Sequence, residues 1–261
     1  MHQVETNGID RCNILGVNVS ATFMEQAVET MERWIQEGSK QYVCVTSVHG
    51  VIESRFDSNL RQIHNRAGMV VPDGVPLVWF MRAEGHSQVS QVSQVYGPDL
   101  MLAMLQKAQI KHFFYGSSDN ALKQLKDNLE KRYTGINIVG MHSPPFRPLT
   151  NEESETIVSD INQCNPDIVW VGLSTPKQEK WISQHRERLS AAVIVGVGAA
   201  FDFHADITPQ APLFFRKRGL EWLYRLSVEP GRLWKRYVKI VPLFIFFGLA
   251  QKLGIKRLSD I

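Results

Sequence analysis

Short apolar runs alternate along the chain with longer stretches of helical periodicity. The runs are rich in β-branched and aromatic residues and have the length of buried strands. They predict seven strands, at Asn13–Val17, Tyr42–Val45, Met69–Val71, His112–Tyr115, Ile136–Val139, Ile168–Val171 and Val193–Val197. The periodic stretches predict helices from a Ser20 N-cap through Trp34 and at Leu100–Lys107, Ala121–Arg132, Glu152–Gln163 and Lys177–Arg188.

This β-α-β order predicts an α/β fold with a Rossmann-like, mostly parallel sheet and helices on both of its faces. Three prolines place Ser143–Pro148 in a surface loop, because proline removes a backbone donor and fixes φ. The stretch from Ser87 to Val95 is rich in Ser, Gln and Val, which indicates a loop or an edge strand.

After Asp206 the composition changes, and the sequence predicts helices that are rich in aromatic and basic residues. We therefore predict a catalytic domain over residues 1–210 and a helical appendage over residues 211–261. The apolar run Ile240–Ala250 has eleven uncharged residues, fewer than the roughly 20 that a membrane span requires. The run is flanked by basic residues, which favours a helix lying in the lipid interface over a buried helix or a subunit contact. These are Lys235, Arg236 and Lys239 before it and Lys252, Lys256 and Arg257 after it.

Charge divides the chain in the same place. Phe214–Arg257 holds eleven Lys and Arg against two Glu, a balance of +9, whereas residues 1–213 have a balance of −5. A basic tail on an acidic body indicates a polyanionic partner, namely anionic lipid, nucleic acid or a phosphorylated substrate.

The cysteines and the N-terminus bear on the compartment. Cys12, Cys44 and Cys164 form no C-x-x-C pair, so neither a disulfide framework nor a zinc site is indicated. The first eleven residues contain no apolar signal-peptide core, so we expect a cytoplasmic protein. Composition leaves a homo-oligomer open.

Ligands of open α/β sheets bind beyond the carboxyl ends of strands, so the residues that follow each strand are the first candidates. Thr46 follows the second strand. Asp73 and Gly74 follow the third in a Pro-Asp-Gly turn, which presents the carboxylate at the sheet edge. The alternative is that Asp73 serves as the N-cap of a helix over Gly74–Met81.

The sixth predicted strand leads into Gly172–Glu179. Thr175 can cap the following helix and Pro176 can occupy its first turn, which is ordinary helix initiation. Lys177 and Gln178 would project from that helix start, where unpaired N–H groups attract phosphate. They are therefore candidates for binding a diphosphate.

The last strand leads into a glycine-rich segment, Gly196–Asp202. Gly196 and Gly198 permit close approach of a ligand to the backbone, and the Asp202 carboxylate can accept hydrogen bonds from a ribose or a base. The dinucleotide fingerprint is incomplete here because its third glycine is missing, which disfavours a nicotinamide-dependent oxidoreductase.

The chain has no Walker loop, no H-E-x-x-H, no G-x-S-x-G and no Asp-x-Asp pair, so we predict neither a metal nor a cofactor. Fixed cations would then have to stabilise a departing diphosphate. The candidates are Arg225, Arg232, Lys235 and Arg236 in the appendage.

Five motifs in the same order resemble the WecG/TagA/CpsF glycosyltransferase family, over about Ile14–Tyr237. They are Pro72–Gly74, Gly97–Leu100, Gly172–Trp181, Gly196–Asp202 and Gly219–Leu226. The resemblance implies an inverting, metal-independent transferase. Its donor would be a UDP-sugar and its acceptor a polyprenyl-diphosphate-linked sugar, in the synthesis of a bacterial surface polysaccharide such as teichoic acid. It implies that Asp73 is the base, that Gln178 belongs to the active site, and that Arg225 and Arg232 close over the diphosphate from a membrane-seeking appendage.

The chain departs from that family pattern at two positions. Many relatives have Thr-x-Asn after the second strand, where this chain has Thr46-Ser47-Val48, so the asparagine's role is vacant or passes to His49. Gln94 stands where relatives often have an arginine.

The resulting hypothesis is a single displacement in which Asp73 deprotonates the acceptor hydroxyl while UDP departs from the opposite face. A nicotinamide-dependent oxidoreductase is one alternative, and a non-enzymatic module that binds a polyanion is another. Nucleic acid is disfavoured as a partner, since few aromatic residues accompany the cations on a surface suited to base stacking.

Overall fold

A computed structural model describes residues 8–84 and 92–255. The strands are β1 (Arg11–Ile14), β2 (Val17–Ser20), β3 (Gln41–Thr46), β4 (Met69–Pro72), β5 (Lys111–Gly116), β6 (Asn137–His142), β7 (Ile168–Gly172) and β8 (Val193–Gly196). The helices are α1 (Met24–Glu37), α2 (Val48–Phe56), α3 (Ser58–Arg66), α4 (Val75–Glu84), α5 (Gly97–Leu105), α6 (Asp119–Arg132), α7 (Asn151–Gln163), α8 (Lys177–His185), α9 (Ala200–His204), α10 (Leu213–Lys217), α11 (Glu221–Val228) and α12 (Pro230–Lys252).

The described residues divide into two compact units. The first unit comprises the chain up to Met24, Thr46–Val95 and the part from Pro209 onward, and the second unit comprises Glu25–Val45 and Tyr96–Thr208. The division into residues 1–210 and 211–261 that the sequence suggested stays a prediction.

The second unit is built on a parallel sheet with the strand order β3, β8, β7, β5, β6. The central strand β7 is apolar throughout, and its residues Ile168–Val171 are completely buried. Continuous apolar strands are typical of a parallel sheet that is covered on both faces, which here is flanked by helices. The predicted α/β fold class is confirmed.

Six of the seven predicted strands are confirmed and correspond to β3–β8. The exception is Asn13–Val17, which was predicted as one strand of the parallel sheet. It forms instead an antiparallel hairpin of β1 and β2, with Ile14 paired to Val17. Leu15 (φ 51°) and Gly16 (φ 93°) lie between them, and two positive φ values are what a tight hairpin turn requires.

The predicted cap at Ser20 is wrong. Ser20 is the last residue of β2, and its hydroxyl accepts a hydrogen bond from the Val70 backbone N–H at 3.1 Å. Helix α1 begins four residues later, at Met24. The hydroxyl therefore satisfies a buried donor of β4 in the first unit rather than a helix end.

Two short helices of the first unit, α2 and α3, were missed in the sequence. Their N-caps are Ser47, which accepts from the His49 N–H, and Asp57, which accepts from the Leu60 N–H. Both are strong capping residue types, so the start signals were present. Helix α2 lacks a clear apolar stripe, since Gly50, Ser54 and Arg55 are all among its buried residues.

The appendage is helical as predicted and consists of α10, α11 and α12. Lys256 and Arg257, which were predicted to flank its apolar run, lie outside the described residues. Within residues 8–84 and 92–255 no helix is long and apolar enough to cross a membrane. Ser143–Pro148 is a loop without helix or strand, as predicted. Residues 92–95 are irregular as well, and the remainder of the Ser87–Val95 stretch lies outside the described residues.

Candidate active site

The first unit encloses a cavity of about 660 Å³, which we call the first-unit cavity. This volume lies within the range of small-molecule sites. Its walls are the start of α2, the Pro-Asp-Gly turn, α4 and the helices of the appendage. The polar and charged residues that line it are Ser47, His49, Asp73, Gln94, Arg216, Glu221, Arg225, Tyr237 and Lys252.

Asp73 lies in a turn whose backbone is held from both sides. Its N–H donates to the Thr46 carbonyl at 2.8 Å, and its own carbonyl accepts from the Gln94 side chain. The Val95 N–H donates to the Pro72 carbonyl one residue earlier. A fixed backbone limits how far the half-buried carboxylate can move within the cavity.

Helix α4 begins at Val75, one residue later than the helix that Asp73 was expected to cap. Gly74 also lines the cavity, and its carbonyl accepts from the Leu77 N–H in the first turn of α4. The residue that directly precedes the helix is thus Gly74, and Asp73 lies one position further out.

Thr46 does not line the cavity. Its side chain is buried, and its hydroxyl lies 2.7 Å from Nε2 of the buried His64. His64 Nδ1 lies 3.0 Å from the Leu60 carbonyl, to which it must donate, so Nε2 accepts from the Thr46 hydroxyl. Thr46 therefore acts on the site through its carbonyl, which anchors the Asp73 backbone.

His49 lies in the first turn of α2 and lines the cavity. Burial, together with the positive charges of Arg236 and Lys239, lowers its pKa to about 4. The ring is neutral at pH 7, so its 3.7 Å contact with the Glu53 carboxylate is not an ion pair. A neutral imidazole offers one hydrogen-bond donor and one acceptor to a ligand.

The four predicted cations are distributed over α11 and α12. Arg225 lines the cavity, whereas Arg232, Lys235 and Arg236 do not. Arg232 donates to both carboxylate oxygens of Glu229, from Nε at 2.9 Å and from a terminal nitrogen at 2.6 Å. This bidentate contact lowers the pKa of Glu229. Arg232 is thus paired with Glu229, the N-cap residue of the same helix.

The side chains of Lys235 and Arg236 have different surroundings. Lys235 is exposed, and its ammonium lies 5.8 Å from the ring centroid of Trp234. Arg236 is half-buried, and desolvation lowers its pKa, with the nearby charges of Arg232 and Arg225 acting in the same direction. Arg225, Arg232 and Arg236 are close enough to raise the local positive potential together, which favours a ligand with more than one negative charge.

The second unit contains the remaining predicted residues, at the carboxyl ends of its strands. Gln178 is buried, accepts from the Gly198 N–H at 2.9 Å and donates to the Glu179 carboxylate at 3.0 Å. A Cβ on Gly196 would lie 2.9 Å from the Gln178 amide nitrogen, so only glycine fits against it. Gln178 thus shapes the glycine turn after β8.

Thr175 does not cap α8, contrary to the sequence prediction. Its hydroxyl donates to the Glu179 carboxylate at 2.8 Å, and the N-cap position is occupied by Pro176 without a side-chain cap. Lys177, the first residue of α8, is exposed.

Asp202 is positioned by the strand that ends at Gly116. Its carboxylate accepts from the Ser117 hydroxyl at 3.1 Å, while its backbone carbonyl accepts from the N–H groups of Ile207 and Thr208. One carboxylate oxygen remains for a further donor, which suits a ligand hydroxyl or an N–H of a base.

Comparison with known proteins decides the family. Residues 12–258 match the family described as "Glycosyl transferase WecG/TagA/CpsF family". The chain belongs to the WecG/TagA/CpsF family. It is therefore a glycosyltransferase, and family membership supports this activity over the nicotinamide alternative.

Several relatives of this WecG/TagA/CpsF protein come from Staphylococcus aureus and are named N-acetylglucosaminyldiphosphoundecaprenol N-acetyl-beta-D-mannosaminyltransferase. Those of strains NCTC 8325 / PS 47 and COL are each 27% identical over 260 residues, which cover 97% of this chain and 98% of the relative. The relative of strain MRSA252 has the same identity and coverage.

Sequence reasoning missed several residues of the first-unit cavity in this WecG/TagA/CpsF glycosyltransferase. Tyr237, Arg216 and Lys252 contribute polar groups, and Trp79 contributes an aromatic wall. The basic tail indicated the cations as a group, but the sequence contains no signal for which of them face a cavity. That choice depends on how α12 packs within the first unit.

Proposed function

We propose that the protein transfers N-acetylmannosamine from a UDP-sugar to N-acetylglucosamine linked through a diphosphate to a polyprenol. The observation that carries the proposal is that a carboxylate on a fixed turn, Asp73, and an arginine of the appendage, Arg225, line one cavity. The names of the relatives supply the two sugars and the lipid. The alignment with the relative of strain NCTC 8325 / PS 47 covers 97% of this chain, so the two proteins correspond over nearly their whole length.

In the proposed reaction the Asp73 carboxylate takes the proton of the acceptor hydroxyl. The hydroxyl oxygen forms a bond to the anomeric carbon while the bond from that carbon to the UDP oxygen breaks, and the configuration inverts. General base catalysis of this kind contributes typically about 10²–10⁴-fold in rate. The two backbone hydrogen bonds of Asp73 support this role, because a base must be held at hydrogen-bonding distance from the proton that it removes.

Arg225 is proposed to stabilise the negative charge that develops on the departing diphosphate. Arginine suits this task because its guanidinium stays charged and can contact two oxygens at once. Arg232, Lys235 and Arg236 are proposed as additional cations. Arg232 would then exchange the Glu229 carboxylate for phosphate oxygens, since both ligands present two oxygens to the same fork.

His49 is proposed to hold a substrate hydroxyl by a hydrogen bond. Its pKa of about 4 means that it acts as a neutral group at physiological pH, so it adds no charge to the cation cluster. Thr46 is proposed as a positioning residue for Asp73 through its backbone carbonyl.

Taken by itself, the second unit has groups at its strand ends that suit a nucleotide. The glycine turn of Gly196 and Gly198 allows close approach to the backbone, and Asp202 offers an acceptor for a ribose hydroxyl. Lys177, exposed at the start of α8, is proposed to contact phosphate.

We further propose that the protein works at the inner face of the cell membrane and binds it through α12. One side of this helix exposes a row of large apolar residues, beside the exposed cations Lys235 and Lys239. The exposed apolar residues are Trp234, Val238, Ile245, Phe246, Leu249 and Leu253.

The test is a transfer assay with purified full-length protein, a panel of UDP-sugars and N-acetylglucosamine carried on a short-chain prenyl diphosphate. We expect UDP release that depends on both substrates, the highest rate with UDP-N-acetylmannosamine, and a β-linked disaccharide by NMR. Transfer of a different sugar would show that the donor is not UDP-N-acetylmannosamine. Failure of every UDP-sugar, in the presence of confirmed acceptor binding, would contradict the proposal.

A further inference from the structure

The lining of the first-unit cavity combines a polar part with an apolar part. Asp73, His49 and Gln94 provide hydrogen-bonding groups, whereas the lining from α4 and from residues 240–249 of α12 is apolar. The apolar lining residues include Trp79, Phe80, Val241, Phe244, Ile245 and Leu249. A sugar and a diphosphate need polar partners, so they leave this apolar part of the cavity unexplained.

The apolar part of the cavity is a groove formed by close packing of α4 against α12. The rings of Phe80 on α4 and Phe244 on α12 lie 6.3 Å apart. A Cβ on Gly248 would lie 3.3 Å from the Phe80 ring, so the absent side chain is what lets α12 approach α4 this closely. Phe80 itself is buried, and it forms a fixed wall of the groove.

The groove is open along the outer side of α12. Ile245 and Leu249 line the cavity, yet each is 56% exposed. They are one helical turn apart, and Leu253 follows one turn later at 74% exposure. The apolar lining of the cavity therefore continues into the exposed apolar row that we assign to the membrane surface.

A cation lies beside the apolar part of the cavity. Lys252 lines the cavity, and its ammonium lies 5.4 Å from the Phe80 ring centroid. The ammonium faces the Phe80 ring, which attracts a cation, and it leaves a positive charge beside the apolar lining.

We propose that the groove between α4 and α12 binds the isoprenoid units of the acceptor that lie nearest to its diphosphate. The inference rests on the proposed function, since it assigns the lipid part of that same acceptor. A polyprenyl-linked sugar has a polar head joined to an apolar chain, which matches a cavity whose lining combines hydrogen-bonding groups with an apolar groove. The chain would leave the groove beside Ile245 and Leu249, which belong both to the lining and to the exposed apolar row.

The experiment uses soluble acceptors, so that membrane binding does not contribute. N-acetylglucosaminyl diphosphate is linked to a methyl group, to an isopentenyl chain, to geranyl or to farnesyl, each below its critical micelle concentration. We expect KM for the acceptor to fall by about tenfold or more from methyl to farnesyl, because each buried methylene favours binding. The KM of the UDP-sugar should stay constant across the series.

Two double variants of α12 provide a matched comparison. Ile245→Ser with Leu249→Ser removes apolar side chains that line the groove, whereas Phe246→Ser with Leu253→Ser removes side chains of similar exposure that do not line it. We expect the first pair to reduce the farnesyl-to-methyl ratio of kcat/KM at least fivefold and the second pair to preserve the wild-type ratio. Circular dichroism and thermal melting establish that both fold.

Direct binding separates this inference from the transferase proposal. Farnesyl diphosphate should quench or shift the fluorescence of the wild-type protein, in which the half-exposed Trp79 lines the groove, and Trp79→Phe should remove most of that change. Transfer that is equally efficient with methyl and farnesyl acceptors would overturn the groove while leaving the transferase intact. Binding of farnesyl diphosphate without any sugar transfer would support the groove and contradict the proposed function. An equal response to dodecyl phosphate would show an acyl-chain site rather than an isoprenoid site and would overturn the assignment.

Discussion

At the scale of single residues, the surroundings set the charge state of two histidines, His49 in the first-unit cavity and His112 in β5. His49 and His112 both have a pKa lowered to about 4, chiefly by burial. Each is therefore neutral in the folded protein near pH 5, while the same residue in the unfolded chain, with a pKa near 6.5, is largely protonated.

The free energy of unfolding should accordingly decrease as the pH falls from about 6.5 to about 4. The unfolded state binds more protons than the folded state in this window, so acid favours unfolding. In the wild type, the free energy of unfolding should be lower at pH 4.5 than at pH 7. His49→Gln should make this difference smaller by about 1–3 kcal/mol, as measured by urea denaturation at the two pH values. An unchanged difference between the two pH values would show that His49 is protonated in the folded protein.

At the scale of single elements, the packing of α2 against Thr46 supports the turn that carries Asp73. A Cβ on Gly50 would lie 2.7 Å from the Thr46 hydroxyl, which is already bound to His64. Gly50→Ala should destabilise the protein by about 1–3 kcal/mol through this clash. The matched control is Gly231→Ala in α12, where a Cβ would meet no atom within 4 Å.

Thermal denaturation of the two glycine variants measures this difference. Gly231→Ala should leave the melting temperature unchanged or raise it slightly, since alanine is the better helix former. Equal melting temperatures for both variants would show that the Thr46 hydroxyl can move away from a methyl group at position 50.

The end of α12 is fastened to the hairpin of the first unit by one side chain. The Gln251 carboxamide accepts from the Leu15 N–H and donates to the Asn13 carbonyl, both at 2.8 Å. Gln251→Ala should lose about 1–2 kcal/mol of local stability, seen as faster hydrogen exchange of the Leu15 amide and of the last turn of α12. Gln251→Glu keeps the acceptor and should have an intermediate effect. Unaltered exchange in both variants would exclude this anchor.

The sequence predicted the elements that are buried on all sides and missed those whose role depends on tertiary contacts. Short apolar runs that are rich in β-branched residues, such as Ile168–Val171, are typical of buried strands, and they were found. The hairpin at Leu15 and Gly16 was missed because its turn interrupts an apolar run without a proline or an Asn-Gly pair. Asp73 was found from its turn motif, whereas the apolar lining of the cavity arises from the packing of α4 with α12, which no local pattern encodes.

At the scale of the whole molecule, the distribution of charge agrees with the proposed membrane-binding role of the tail. The tail carries a balance of +9 and the remainder up to residue 213 a balance of −5. The acceptor and the membrane surface are both anionic in the proposed function, so a basic tail favours both. The acidic remainder would be repelled by the same surface.

Reversal of two exposed cations of α12 tests this electrostatic attraction. Lys235→Glu with Lys239→Glu should weaken binding to vesicles with anionic lipid by at least tenfold, since each basic residue near the surface contributes about 1 kcal/mol. The control is Lys123→Glu with Lys131→Glu, which makes the same change of net charge on exposed positions of α6. Vesicle flotation at low and high salt measures both. Equal loss in the two variants would attribute binding to net charge rather than to α12.

The central claim is that the Asp73 carboxylate removes the proton of the acceptor hydroxyl, and the most direct measurement is single-turnover transfer by Asp73→Asn. Asparagine has nearly the same shape and keeps the backbone contacts of the turn, but it cannot accept a proton at neutral pH. We expect the rate of transfer to fall by about 10²–10⁴-fold, with the dissociation constants of UDP-sugar and acceptor changed less than threefold. Transfer within tenfold of the wild-type rate would contradict the account.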